Sequence, residues 1–475
     1  MKKFLLFLKA LFTKKSTPPP SAPPADIPKS KPPLPAEPVQ NRPSRPQKKK
    51  WTILDFPVEP LEGETRFHDL SLHSSILHAI ADLKFNYCTP VQSKLLPHTL
   101  EGKDATAKAQ TGTGKSASFI ITILAAFFKT PQKNNNGTPR ALILAPTREL
   151  VHQIEKDFKA LAKYTRFKIL GVYGGTGYQE QQSALRSSPI DVIVATPGRL
   201  MDFMDKKLIH TSKVEIIIID EADRMLDMGF IPDVRRIILT TPHKSKRQTL
   251  FFSATLTPEV LRWAQTWTTD NAVQIEIDPE QTAADSVHQI VYITTESDKF
   301  KHVYNLITSE NLTRVILFVN RKDTAKYLAS KFERYNQKCS VLSGDIPQDK
   351  RFKVLENFKS GRINLLVATD VAARGLHIEN ISHVINYDLP NEPDHYIHRI
   401  GRTGRAGASG ISISFADESS SFFIPEIEKV LGYKIACEYP SEALEKDLPE
   451  PRKKFLPKPK PAGRKPFKPR SKPRF

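Results

Sequence analysis

The feature that most constrains this chain is a series of short, apolar, β-branched runs, each bounded by turn-forming residues. The first set is Ala141-Leu-Ile-Leu, Asp191-Val-Ile-Val, Val214-Glu-Ile-Ile-Ile-Ile and Leu250-Phe-Phe. The second is Val315-Ile-Leu-Phe-Val, Leu365-Leu-Val-Ala, Val384-Ile-Asn-Tyr and Ile411-Ser-Ile-Ser-Phe. A strand with one wet face alternates apolar and polar residues. Most of these runs do not alternate, so they suit strands buried on both faces. Helical stretches lie between them, and the expected fold class is α/β, with parallel sheets covered by helices on both faces. The polar stretch from Thr269 to Ser286 separates the two sets and suits a hinge. A body of roughly 400 residues exceeds what one core organises, which agrees with two domains. No internal repeat is readable, but several strands run into chemically loaded loops, where open α/β sheets place ligands.

Charge divides the chain differently. The formal net charge is +20, yet residues 1–50 hold 12 basic and 2 acidic side chains, and residues 451–475 hold 11 basic and none acidic. The body between them is therefore nearly neutral. The flanks are also proline-rich, with 12 prolines in the first 50 residues and 7 in the last 25, so both are expected to be disordered basic arms suited to a polyanion. Cys88, Cys339 and Cys437 are odd in number and far apart, which excludes a disulfide framework and a CxxC metal knuckle. Residues 1–15 resemble a signal peptide superficially, but Lys9 cuts the apolar run and Lys14-Lys15 stand where small residues are needed for cleavage. A cytoplasmic chain is expected. Phe4, Phe7, Leu8, Leu11 and Phe12 share one helical face opposite Lys2 and Lys9, an arrangement that serves a membrane surface and a protein partner equally well.

The strongest local signal is the loop Ala109, Gln110, Thr111, Gly112, Thr113, Gly114, Lys115 and Ser116. Phosphate oxygens need several backbone N–H donors at close range, which glycines allow, and a helix N-terminus adds a favourable field. Lys115 is placed to pair with the terminal phosphates of ATP and Ser116 to ligate Mg²⁺. Ala109 departs from the usual first glycine of such loops. About a hundred residues on, Asp220-Glu-Ala-Asp223 ends a buried strand, where a carboxylate needs a cation or a hydrogen-bonding task. Asp220 is the expected Mg²⁺ partner and Glu221 the residue that orients the attacking water; helix-capping acids are the plainer reading. Hydrolysis also needs positive charge on the γ-phosphate, and Arg402 and Arg405 in His398-Arg-Ile-Gly-Arg-Thr-Gly-Arg405 are the candidate arginine fingers.

With these motifs in order, residues 65–437 resemble the DEAD-box RNA helicases of superfamily 2. That resemblance implies two tandem RecA-like domains, set here at 51–278 and 279–437, after a 1–50 extension and before a disordered tail at 438–475. It implies a Q motif over 65–93, with Gln92 on the adenine edge and Phe67 stacking on the base, and Asp370 near the ribose. It implies sequence-independent contact with the RNA backbone through Thr147, Arg148, Gly175, Thr196, Pro197, Gly198, Arg199, Gln348 and Arg351. Ser253-Ala-Thr255 would couple hydrolysis to strand separation, and Arg374 would lie near the domain interface. Lys84 and Cys88 replace residues usual around the Q motif, and Ser116 replaces the commoner Thr. Cys88, His377 and the stretch from Gly407 are similar to one bacterial branch, the RhlB helicases, which implies a ribonuclease partner of the degradosome type. A DNA helicase and an ATP-gated RNA clamp or annealing factor are the competing functions.

Overall fold

The structure is a computed structural model, and it describes residues 51–110, 112–175, 177–277, 287–373, 381–404 and 410–451. The amphipathic N-terminal segment, Thr111, Arg374, His377, Arg405 and the basic tail lie outside the described residues.

The apolar runs form the strands of two seven-stranded parallel sheets. The first holds β1 (Ala105–Lys108), β2 (Ala141–Leu144), β3 (Ile169–Val172), β4 (Val192–Ala195), β5 (Ile216–Ile219), β6 (Gln248–Ser253) and β7 (Val273–Glu276). The second holds β8 (Val287–Ile293), β9 (Val315–Val319), β10 (Cys339–Leu342), β11 (Leu365–Thr369), β12 (His383–Asn386), β13 (Gly410–Ala416) and β14 (Ala436–Glu438). Their orders are β3-β4-β2-β5-β6-β1-β7 and β10-β11-β9-β12-β13-β8-β14. Counted from its own first strand, each sheet therefore has the same order, and the fold repeats although the sequence does not. Helices cover both faces, the arrangement of tandem RecA-like domains.

The strand period explains why both faces are buried. In β2 and β5, Ile143 and Ile218 point to one side and pack with Leu95, Phe119, Phe127 and Phe158. Their neighbours Leu142, Leu144, Ile217 and Ile219 point to the other and pack with Phe203, Met225 and Val234. Each such side chain contributes roughly 1.5–3 kcal/mol by leaving water. In β2 and β5 every position is apolar, and the polar residues buried within β1, β6 and β13, such as Thr106, Thr249, Ser412 and Ser414, are uncharged, so the functional carboxylates stand at the carboxyl ends of the strands. There the Gly-rich loop follows β1, Asp220 follows β5, Ser253 ends β6 and Asp370 follows β11.

The second domain runs further than its expected end at 437. Leu444 is buried in its core, and Asn305 Nδ2 donates to the carbonyls of Leu444 (2.8 Å) and Lys446 (2.7 Å). These residues after β14 look like tail in composition, but one leucine and two satisfied carbonyls tie them to helix Lys299–Ser309. Burial pushes the Cys88 and Cys339 thiols up to about 12, so both are unreactive at neutral pH.

Candidate functional site

The loop after β1 is shaped by two left-handed glycines, Gly112 (φ +89°) and Gly114 (φ +91°), the second capping helix Lys115–Lys129. The Q-motif segment holds this loop from behind. Thr89 Oγ1 donates to the Thr113 carbonyl (2.7 Å), Gln92 Nε2 donates to the Gly114 carbonyl (3.2 Å), and Gln92 Oε1 accepts from the Thr89 amide (2.9 Å). A Cβ on Gly114 would stand 2.5 Å from Gln92 Nε2, so the fit leaves no room for a side chain. Gln92 is thus a brace for the loop in this structure. The Phe67 ring, expected to stack on the base, is 0 % exposed and packs within the first-domain core in this structure. Phe85, at 38 %, is the exposed aromatic of the same segment. Both are apolar rings to a sequence reader, and only packing distinguishes them.

Lys115 is 5 % exposed, and its ammonium makes no hydrogen bond, with Asp220 Oδ1 at 3.8 Å as its ionic neighbour. An orphaned ammonium at a helix N-terminus is what a terminal phosphate would satisfy. Asp220 is 2 % exposed and accepts from the Glu221 amide (2.9 Å). Burial pushes its carboxyl up to about 6; Lys115 pulls it down and Glu221 raises it again. Glu221 sits at φ +52°, a strained left-handed position, and its Oε2 accepts from Arg224 Nη1 (2.7 Å). Asp223 joins the ends of β5 and β6: its Oδ2 accepts from the amides of Ala254 (3.1 Å) and Thr255 (3.0 Å), and its own amide donates to Ser253 Oγ (3.2 Å). Among the described residues no cluster of three or more His, Cys, Asp or Glu side chains could hold a metal. Mg²⁺ is commonly held by one or two protein oxygens together with phosphates, and Ser116 and Asp220 are the residues that would hold it here.

In the second domain Arg399, to which the sequence reading gave no role, is the organising residue. It is 1 % exposed, and its guanidinium donates to both Asp370 oxygens (2.6 Å each), to Asn320 Oδ1 (2.7 Å) and to the Asp388 carbonyl (2.6 Å). Asp370 therefore spends both oxygens on Arg399. The available signal was that Asn320 and Asp370 each lie just after an apolar run and need a donor; Asp388 offers Arg399 only its main-chain carbonyl. Arg402, one turn on, is 9 % exposed and its Nε donates to the His398 carbonyl (3.2 Å).

The first-domain residues expected to read the RNA backbone gather where β2, β3 and β4 end. Thr147 and Thr196 are helix N-caps, Pro197 opens the helix Pro197–Asp205, and Gly198 is exposed beside Arg199. Gly175 (φ +92°) lies so close to Arg148 that an added Cβ would overlap its guanidinium. Gln348 and Arg351, expected to contact RNA phosphates, lie against Arg148 and Glu149 of the first domain in this structure. Gln348 Oε1 accepts from Arg148 Nη1 (3.2 Å), its Nε2 donates to Glu149 Oε1 (2.9 Å), and Arg351 pairs with Glu149 and the Ala372 carbonyl. Arg351 is 8 % exposed, so its donors serve the join between the two sheets. An Arg in a helix is a phosphate ligand or an ion-pair partner according to which carboxylate the fold brings opposite it.

A phosphate-binding loop and an acidic strand end in one RecA-like domain, followed by a second domain of the same topology that carries Arg399 and Arg402 at a helix end, define an ATPase built from two RecA-like domains. The chain belongs to the DEAD/DEAH box helicase family: that domain matches residues 89–263, and a helicase conserved C-terminal domain matches residues 298–407. It is RhlB-like, being 54 % identical to the ATP-dependent RNA helicase RhlB of Pseudomonas putida over 394 residues, 82 % of this chain and 99 % of that one. RhlB of Shewanella baltica is 40 % identical over 391 residues, 82 % of this chain and 89 % of that one. Among solved structures, S. cerevisiae Dbp5 bound to RNA and ADP BeF3 is similar with a TM-score of 0.70 at 32 % identity, covering 80 % of this chain and 97 % of that one. Mss116p bound to ssRNA and AMP-PNP is similar with a TM-score of 0.72 at 28 % identity, covering 82 % of each chain.

Proposed function

We propose that this chain is an ATP-dependent RNA helicase that opens short RNA duplexes locally and without sequence preference. The observation that carries the reading is the buried Lys115 ammonium, unsatisfied beside Asp220 at the mouth of the glycine loop. Lys115 and the loop amides bind the β- and γ-phosphates, and Ser116 and Asp220 hold Mg²⁺, which neutralises phosphate charge when bound. Glu221 orients the water, and Arg402, with Arg405 beyond the described residues, supplies positive charge to the γ-phosphate from the second domain. Arg148, Gly175 and Arg199 read the RNA backbone. Asp223 ties the acidic strand end to Ser253-Ala-Thr255, so movement at the γ-phosphate reaches the segment that couples to RNA. The +20 charge concentrated in the flanks adds RNA affinity through phosphate neutralisation.

The RhlB likeness supports a role in RNA degradation beside a ribonuclease partner, with the N-terminal amphipathic segment as a contact to that partner or to a membrane surface. No helix among the described residues is long and apolar enough to cross a membrane, and the cytoplasm is the proposed location. The test compares ATP turnover with RNA and with DNA for the wild type, Glu221→Gln and Arg402→Ala. RNA but not DNA is expected to stimulate the wild type; Glu221→Gln should bind ATP and RNA without turnover; Arg402→Ala should lose roughly 10³-fold in stimulated rate. Equal stimulation by DNA would overturn the RNA reading, and near-normal turnover by Glu221→Gln would overturn its assignment.

A further inference from the structure

Arg199 is held in a way that its motif does not explain. Its guanidinium carbon lies 4.9 Å from the ring centre of Tyr178 and 5.5 Å from that of Phe203, and those two rings meet edge to face at 5.2 Å. Phe203 comes from the same helix as Arg199, one turn on, whereas Tyr178 opens the neighbouring helix Tyr178–Ser187. Nη1 of Arg199 donates to Gln181 Oε1 at 3.4 Å, and Gln181 is in turn anchored by its Nε2 on the Tyr173 carbonyl (3.1 Å). The other end of the Tyr178 ring is occupied as well: Lys206 Nζ donates to its hydroxyl at 2.6 Å. The direction imposed on Arg199 is informative. A Cβ placed on Gly174 would have Arg148 Nη2 at 3.6 Å and Arg199 Nη2 at 3.9 Å, so both guanidinium groups converge on the same glycine. A long Arg side chain left to itself samples many rotamers and loses that freedom on binding. Here two rings and an amide have already selected one.

We propose that Tyr178 is a positioning residue for RNA binding, which touches no phosphate itself but holds Arg199 aimed at the backbone beside Arg148. The inference rests on the reading of Arg199 as an RNA-backbone contact. Loss of the ring releases the guanidinium, so the strength of RNA binding falls while the chemistry at the γ-phosphate, on other strand ends, is untouched. The ring face carries the effect on Arg199; Lys206 shares that ring, its ammonium 4.7 Å from the ring centre as well as bonded to the hydroxyl, so the Arg199→Ala background isolates the part that runs through Arg199.

The test measures the affinity of a single-stranded RNA in the presence of AMP-PNP, with RNA-stimulated ATP turnover, for the full chain carrying Tyr178→Leu, Tyr178→Met, Tyr178→Phe, Arg199→Ala and the combination of Tyr178→Leu with Arg199→Ala. Tyr178→Leu and Tyr178→Met should weaken RNA binding by about 3- to 10-fold, the range of a cation over an aromatic face. The RNA concentration for half-maximal turnover should rise equally, with kcat at saturating RNA unchanged. Tyr178→Phe should stay within about 2-fold of wild type, because it keeps the face. In the Arg199→Ala background Tyr178→Leu should add nothing. Wild-type affinity in both apolar variants overturns the proposal, and so does a Tyr178→Leu defect of full size in that background, since the ring would then act through something other than Arg199. Wild-type affinity in Arg199→Ala overturns instead the RNA-contact reading on which the proposal stands. If either apolar variant lowers the melting temperature, the comparison between the two backgrounds still decides, because a folding defect adds to Arg199→Ala rather than vanishing in it.

Discussion

Replacing Asp220 by Asn should stabilise the nucleotide-free protein while abolishing its activity. Burial lifts the Asp220 carboxyl from its ordinary 3.8 to about 6, with the attraction of Lys115 already part of that balance. A carboxyl raised in the folded state contributes stability that is complete below its unfolded value and lost as pH climbs through the folded one. At pH 7.5 the ionised form therefore costs about 3 kcal/mol relative to a neutral side chain of the same shape. For a domain of this size that corresponds to roughly 6–12 °C in melting temperature. The assay is thermal unfolding of wild type and Asp220→Asn at pH 7.5, 6 and 4.5, with EDTA and without nucleotide. The variant should melt well above wild type at pH 7.5, and the gap should shrink through pH 6 as the wild-type carboxyl takes up its proton. Mg²⁺ and ATP should reverse the order at pH 7.5, because the divalent cation requires the charge that the empty site disfavours. A variant that melts at or below wild type at pH 7.5, or a gap that does not change with pH, would refute the argument that burial of a charge is the dominant cost at this position.

Two further expectations test other parts of the chain. Gly114→Ala combines the strain of φ +91° with a Cβ 2.5 Å from Gln92 Nε2, so ATP affinity should fall about 10-fold or more while RNA binding without nucleotide is kept; titration with a fluorescent ATP analogue checks the first and titration with a labelled RNA the second. Truncation after Glu450 removes the 11 basic residues of the tail; if about four phosphates are neutralised there, the slope of log affinity against log salt should become shallower by roughly 3, with turnover at saturating RNA unchanged. Parallel salt lines for the two proteins would remove the tail from the RNA-binding surface.

Eight strands are legible in the amino-acid sequence alone, because a strand covered on both faces must be apolar at every position, as in Ala141–Leu144 and Ile216–Ile219. Loop chemistry is legible for a similar reason: few residues other than glycine adopt the backbone of Gly112 and Gly114, and a run ending in Asp220 and Glu221 leaves carboxylates at a sheet end. The strands without a clear sequence signal are β1, β3, β7, β8, β10 and β14, and β3, β7, β10 and β14 lie at or next to the wetter margins of the sheets. A strand at a sheet margin is partly wet, so its composition is not forced; β14, Ala-Cys-Glu, is exposed throughout and exists because β8 offers it backbone partners. The identical order of the two sheets is equally hidden, since topology depends on which strands pair and many apolar sequences satisfy one pairing. Side-chain roles follow the same division. Lys115, Asp220 and Glu221 are bound to their neighbours in sequence by a short loop, and short-range geometry determines where they point. Phe67, Arg399, Arg351 and Tyr178 acquire their surroundings from residues on other elements, such as Asp370 opposite Arg399 and Glu149 opposite Arg351. Local backbone constraints are written residue by residue, whereas a charge or a ring has no fixed meaning until the fold has chosen what stands within a few ångströms of it.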